Sequence, residues 1–307
     1  MSNLLLDDDR AIEPEDVVMQ PAPGDEVTQE SIFPRPIRRI HIALDASSNS
    51  HAALEAAANL AAILQSELLG LFVEDINLLR LTELPFVREV RFAEKDVRRP
   101  DQDALVRKLR ARAALLRHEL EEMASERKLT SSFRVIRGSI DRELLAAALE
   151  ADLVALGRLG HTVIRHSPLG STARAIVSHA TGAVLLVKTD VGPGPVIALF
   201  DGSENGRRAL LMAAELANHV GDLRVLVWAS NEETAYTRRQ YAIQLLEKTD
   251  IQLQFQHLSG DDPRRVIEWV DRQKGSLLIL GGGEMNLPED IGQVLVDEAQ
   301  QHILFLK

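Results

Sequence analysis

Residues 40–49 read Ile40-His41-Ile42-Ala43-Leu44-Asp45-Ala46-Ser47-Ser48-Asn49, and residues 196–205 read Val196-Ile197-Ala198-Leu199-Phe200-Asp201-Gly202-Ser203-Glu204-Asn205. At this fixed offset of 156, nine of the seventeen positions from Asp45 to Ala61 are identical to their counterparts. The shared residues are Asp45, Ser47, Asn49, Ala53, Leu54, Ala57, Ala58, Leu60 and Ala61, matched by Asp201, Ser203, Asn205, Ala209, Leu210, Ala213, Ala214, Leu216 and Ala217. Each copy predicts an apolar strand, a loop opened by aspartate, and an amphipathic helix whose Ser and Asn suit an N-cap. The chain is therefore a tandem repeat, and its fold is the fold of one copy used twice.

Working outward from the first copy, apolar runs and helical periodicity alternate. Strands are predicted at Glu67–Val73, Ser132–Arg137, Leu153–Leu156 and Ala183–Lys188, and helices at Leu105–Lys128, Arg142–Glu150 and Ser171–Ala180. Five strands alternating with four helices imply an open parallel sheet covered on both faces. The second copy repeats the order: Leu223–Trp228, Tyr236–Lys248, Gln252–His257, Arg264–Gln273, Leu277–Leu280, Ile291–Gln300 and Ile303–Leu306. Val191-Gly192-Pro193-Gly194-Pro195 reads as the linker. The domain reading is a leader at 1–36, a first domain at 37–190 and a second at 195–307.

The chain has 307 residues, 45% of them apolar and 26% charged, which is ordinary for globular domains with sizeable cores. It has no cysteine, which excludes disulfides and thiolate metal sites and points to a reducing, cytoplasmic setting. No apolar run approaches the ~20 residues of a membrane span, and Asp7-Asp8-Asp9 has the wrong charge for a signal peptide. Of the net charge of −11, residues 1–36 hold −7, which reads as a disordered, solubilising leader. A mildly acidic body also excludes general nucleic-acid binding.

Function is carried by Gly157-Arg158-Leu159-Gly160, nine further residues, and then Gly170-Ser171-Thr172 opening a helix. Glycines allow close approach to an anion, and free N–H groups at a helix start attract it. In an open α/β sheet, ligands sit beyond the carboxyl ends of the strands, where strand order reverses. If strand one neighbours strand four, Asp45 and this loop flank one crevice. Asp45 can accept from ribose hydroxyls, the loop can hold phosphates, and Val73 and Leu156 can wall an adenine. The competing reading makes the glycines plain turn residues, and Arg158, His161, Arg165 and His166 solvent-facing cations.

The pattern G-x2-G-x9-G-[S/T], following an Asp-x-Ser strand end, resembles the universal stress protein family. The resemblance runs from about residue 37 to the end as two tandem copies. It implies strand order 3-2-1-4-5 and, in the nucleotide-binding branch, ATP or another adenine nucleotide, with magnesium optional. Carried over, Asp45 meets the ribose, Ala43 and Val73 lie by the adenine, and Leu156 and Gly157 begin the ribose-phosphate loop. Gly160, Gly170, Ser171 and Thr172 surround the phosphates. Family members commonly pair through their last strands, which implies an internal pseudo-dimer of Ala183–Lys188 with Ile303–Lys307, and leaves a homodimer open.

The second copy departs from the pattern. Its loop reads Gly281-Gly282-Gly283-Glu284-Met285-Asn286-Leu287-Pro288-Glu289-Asp290, with three acids and no Gly-Ser/Thr. Trp228 stands where Val73 does, with bulk enough to fill an adenine pocket. One nucleotide site per chain is expected, in the first copy. There is no H-E-x-x-H, Walker lysine or nucleophile–base motif, and the nine histidines lack metal-ligand spacing, so no catalytic or metal residue is assigned. The leading reading is a regulatory ATP binder that signals through an unidentified protein partner. A nucleotide-free interaction module is the alternative, as is slow ATP hydrolysis or self-phosphorylation on Ser171 or Thr172. A nucleotidyl-transferring synthetase would carry glycines after strand one, where none stands. Finally, Ile76–Asp103 is an insertion rich in Arg and Pro. It reads first as a solvated loop, and alternatively as a lid or partner surface docking the acidic leader.

Overall fold

Strand β1 (Arg39–Leu44) alternates Ile40, Ile42 and Leu44 toward one helical layer with His41 and Ala43 toward the other. Every central strand of the sheet repeats this two-sided burial, as expected where helices cover both faces. In the computed structural model, the residues described are 36–45, 47–91, 96–98, 100–158, 170–247, 249, 251–258, 263–282, 295 and 297–307. Ile32–Lys307 forms one compact unit.

In the first half β1 is followed by α1 (Ser48–Leu64), β2 (Glu67–Asp75), α2 (Ile76–Glu83) and a small antiparallel hairpin of β3 (Glu89–Arg91) and β4 (Asp96–Arg98). Then come α3 (Gln102–Glu126), β5 (Ser131–Gly138), α4 (Ile140–Glu150), β6 (Leu153–Gly157), α5 (Ser171–His179) and β7 (Ala183–Val187). The second half runs β8 (Val196–Phe200), α6 (Glu204–Val220), β9 (Asp222–Trp228), α7 (Glu232–Leu246) and β10 (Gln252–Leu258). It closes with α8 (Pro263–Arg272), β11 (Leu277–Gly281) and β12 (His302–Leu306). Of the helix expected at Ile291–Gln300, Leu295, Asp297 and Glu298 are helical; residues 291–294 and 296 lie outside the described residues.

The order β10-β9-β8-β11-β12-β7-β6-β1-β2-β5 is the 3-2-1-4-5 arrangement read twice, the two arrays meeting edge to edge. Within this ten-stranded sheet all pairs inside a half are parallel. The seam pair is antiparallel, setting Ile303 opposite Leu186 and Phe305 opposite Val184. Both apolar layers cross this seam: one packs under α1, α3 and α6, the other under α4, α5 and α8. β7 and β12, each an exposed edge in a single copy, are thereby protected.

The aspartate motif sets the first turn after β1 and after β8 in the same way. Asp45 Oδ1 accepts from Ser47 N at 3.0 Å and Ser47 Oγ at 2.6 Å, and Ser47 Oγ caps α1 through Ser50 N. Asp201 and Ser203 repeat these bonds, with Ser203 Oγ accepting from Gly206 N. The repeated residues thus specify a strand-to-helix turn, a structural duty that each aspartate performs before any ligand is considered.

One expectation is refined by the fold. The insertion at 76–103 contains structure of its own: Asp75 caps α2 by accepting from Asn77 N at 2.9 Å, and Asp101 caps α3 by accepting from Ala104 N at 3.0 Å. No periodic signal of useful length marks eight residues of helix or a three-residue strand.

Candidate functional site

In the first half the strand order reverses at β1, between β2 and β6. The carboxyl ends there gather most of the residues singled out from the sequence. Ala43 lies in register between Leu71 of β2 and, through Ile42↔Ala155, Leu156 of β6. Ala43, Val73 and Leu156 all lie on the α4/α5 face, Leu156 buried and the other two partly so. They form an apolar floor. Asp45 follows directly at the end of β1, half-buried.

Gly157 ends β6 opposite Val187. A Cβ there would stand 2.6 Å from Asn49 Cβ and 3.1 Å from the Asn49 carbonyl. Gly281, its counterpart, meets Asn205 in the same manner. The glycine is therefore required by the close approach of the first turn of α1, as Gly281 is by that of α6, a packing reason the spacing alone did not disclose.

Gly170 is the N-cap of α5 and closes the loop by donating its N–H to Arg158 O at 3.0 Å. Gly170 brings no capping side chain to α5, and the first turn of α5 itself holds no acid, so its own residues leave the partial positive charge of the helix start uncancelled. Ser171 is exposed; Thr172 Oγ1 donates to Asp141 Oδ1 in the first turn of α4. Asp141 was not singled out in the sequence, because only the side-by-side packing of α4 and α5 brings it there. Gly160, with His161, Arg165 and His166, lies outside the described residues.

Arg158 does something the sequence did not suggest. It is 5% exposed and turns away from the crevice, its guanidinium donating to Ala299 O and Asp297 O beyond the seam. Burial pulls its pKa down, and Asp297 and Asp271 act in the opposite sense. Nearby, Arg174 of α5 stands 3.6 Å from Asp297. Lys188 donates from Nζ to Gln300 Oε1, and from its amide to His302 Nδ1 at 3.3 Å. The loop's first cation thus ties the halves together at the carbonyl end of the last helical turn, where positive charge is favoured.

Elsewhere at these strand ends, Arg137 Nε and Nη2 donate to Glu74 Oε2 at 2.9 and 2.7 Å. Among the described residues no group of three or more His, Asp or Glu side chains is arranged to hold a metal. A cavity of about 200 Å³, lined by Arg39, His41, Glu67, Leu69, Arg134 and Glu150, opens at the opposite, amino ends of the strands. There His41 Nδ1 donates to Ala147 O at 3.0 Å, and burial lowers its pKa.

The corresponding strand ends of the second half carry bulkier side chains. Trp228 is buried at the end of β9, and strand register aligns it with Val73. Arg238 of α7 donates to Trp228 O and closes on Gly202, where φ is +76° and a Cβ would stand 2.9 Å from Arg238 Nε. Asn205 Nδ2 donates to Gly282 O, and the acid-rich continuation from Gly283 lies outside the described residues. No described helix of the chain is long and apolar enough to cross a membrane.

Comparison with known proteins gives a consistent picture. Residues 36–188 match the model of the universal stress protein family. A universal stress protein from Archaeoglobus fulgidus DSM 4304 superposes with a TM-score of 0.64 at 16% identity, covering 88% of this chain and 98% of its own. The functionally unknown protein PA1789 from Pseudomonas aeruginosa PAO1 gives 0.55 at 16% identity, over 88% and 92%. A putative universal stress protein from Pseudomonas aeruginosa UCBPP-PA14 gives 0.53 at 17% identity, over 88% and 93%. At such identities the likeness speaks to fold. No curated protein matches the chain. With two copies of a 3-2-1-4-5 sheet joined at their last strands, the chain belongs to the universal stress protein family, through its residues 36–188.

Proposed function

We propose that the first domain, residues 37–190, binds one adenine nucleotide, ATP being the leading candidate, and that the second, 195–307, is a degenerate copy without a ligand. The proposed contacts are Ala43 and Val73 along the adenine, Asp45 at the ribose, and Leu156 and Gly157 where the loop begins. Gly160, Gly170, Ser171 and Thr172 surround the phosphates. The observation that carries this reading is the convergence, at the strand-order reversal, of an apolar floor, a strand-end carboxylate and the uncapped start of α5. These residues fit the chemistry of the group: N–H donors for phosphate, a carboxylate acceptor for hydroxyls and apolar walls for a base. Occupancy of the loop would then bias a protein partner, the regulatory part of the reading; the leader at 1–36 stays a solubilising segment in it.

A single contact favours a second activity. Thr172 already donates its hydroxyl proton to Asp141 Oδ1, so the oxygen that would accept a phosphoryl group has a base in place.

The test is a melting curve with and without 1 mM ATP, on the parent and on Gly160→Glu, which imitates the second copy. For a Kd of ~10 μM the ligand adds about 2.7 kcal/mol, a rise of several degrees in the parent only. An unchanged melting temperature, together with no nucleotide released on denaturation, overturns the proposal. Phosphate found on residue 172 of the ATP-treated protein would support the second activity, and its absence would remove it.

A further inference from the structure

The two halves differ most between their second strand and the helix that follows it. β9 ends at Trp228 and α7 begins at Glu232, whereas the first half inserts residues 76–101 between β2 and α3. The inserted α2 anchors itself through Leu79, which is buried in the layer that includes Leu109. A second tie runs from Gln102 Nε2 to Glu83 Oε1 at 3.2 Å. The rest of α2 and the turn after it leave apolar side chains bare: Leu78, Leu81 and Leu84 are 42%, 46% and 39% exposed, and Phe86 is 75% exposed. α2 packs beside the edge strand β5, where Val135 is also exposed. Single exposed apolar residues are common, but four within nine residues form a patch.

The same segment reverses the charge of the molecule. Between residues 76 and 118 there are eleven basic and six acidic side chains, in a chain whose net charge is −11. Arg80 and Arg88 flank the exposed leucines and Phe86, and Arg107, Lys108, Arg110 and Arg117 are exposed along α3. The geometry points to a docking surface on α2 and the turn after it for an acidic amphipathic segment of another protein. Its apolar side chains would cover Leu78, Leu81 and Phe86, and its carboxylates would meet Arg80 and Arg88. Charge complementarity selects this occupant. A symmetric contact with a second copy would set one net-positive surface against another. An anionic bilayer would meet six carboxylates among the cations, and α2, at eight residues, offers it little apolar area. The surface does not depend on a nucleotide in the crevice.

The test uses the full chain and a synthetic 18-residue helix with Leu and Phe on one face and Glu on the other, followed by fluorescence anisotropy. Saturable binding with a Kd of tens of micromolar at low salt is expected. It should weaken about tenfold in Leu81→Ser/Phe86→Ser, in Arg80→Glu/Arg88→Glu, and in roughly 0.5 M salt. These positions are exposed, so the variants should melt with the parent. Four results would each overturn the inference. They are no saturation by about 1 mM, equal binding of a Lys-for-Glu peptide, a self-association that Leu81→Ser/Phe86→Ser abolishes, and phosphatidylserine-vesicle binding that the same variant releases.

Discussion

His302 offers a pH-dependent reading of the seam. Its imidazole is mostly buried at the start of β12, where Nδ1 accepts from the Lys188 amide at 3.3 Å; burial holds its pKa at about 4, against an ordinary 6.5. The neutral ring is the one that fits, since protonated Nδ1 could not accept. Above pH 6.5 the folded and unfolded chains both carry a neutral His302, and its contribution is constant. As pH falls below 6.5 the unfolded chain takes up the proton while the folded chain resists until about pH 4, so stability is lost across that window. The full loss is about 3.4 kcal/mol, of which about 2.5 kcal/mol falls between pH 7.5 and 4.5. Urea unfolding at those two pH values, on the parent and on His302→Asn, isolates this group from the other titrating residues. Asparagine keeps a neutral acceptor that does not titrate, so its stability should fall by about 2.5 kcal/mol less than the parent's. Equal falls in the two proteins would refute the reasoning.

Three further substitutions test the packing argument. Gly157→Ala should cost about 2–3 kcal/mol in urea unfolding, because its Cβ would press on Asn49, while Gly192→Ala, where a Cβ meets open space, should change little. Arg158→Met should cost about 3 kcal/mol by stranding the Ala299 and Asp297 carbonyls, with a lower unfolding midpoint as the readout.

Much of the fold was legible in the sequence because it was written twice. Asp45-x-Ser47 and Asp201-x-Ser203 match because both build the same strand-to-helix turn, and apolar runs such as Ala183–Val187 of β7, flanked by Gly182 and Lys188, mark strands buried on both faces. The alternation of strands and helices pointed to a parallel sheet covered on both faces, while the strand order was implied by the family resemblance alone. Less legible were features made by contacts distant in sequence. Arg158, in a glycine-punctuated loop, read as a solvent-facing cation, yet it is buried and its partners lie near residue 298, beyond the reach of any local pattern. Asp141 meets Thr172 only because α4 and α5 pack together. Arg238, the residue that closes on Gly202 in the second crevice, lies ten residues from Trp228 on a helix whose orientation periodicity does not give.

The central claim is one adenine-nucleotide site, in the first half, gripped at the start of α5. Isothermal titration with ATP measures it directly when run on the parent and on Ser171→Glu, which puts a carboxylate where phosphate would sit. The account predicts one ATP per chain for the parent and none for the variant, with both proteins folded. No heat from the parent, two sites per chain, or a single site that survives Ser171→Glu would contradict it.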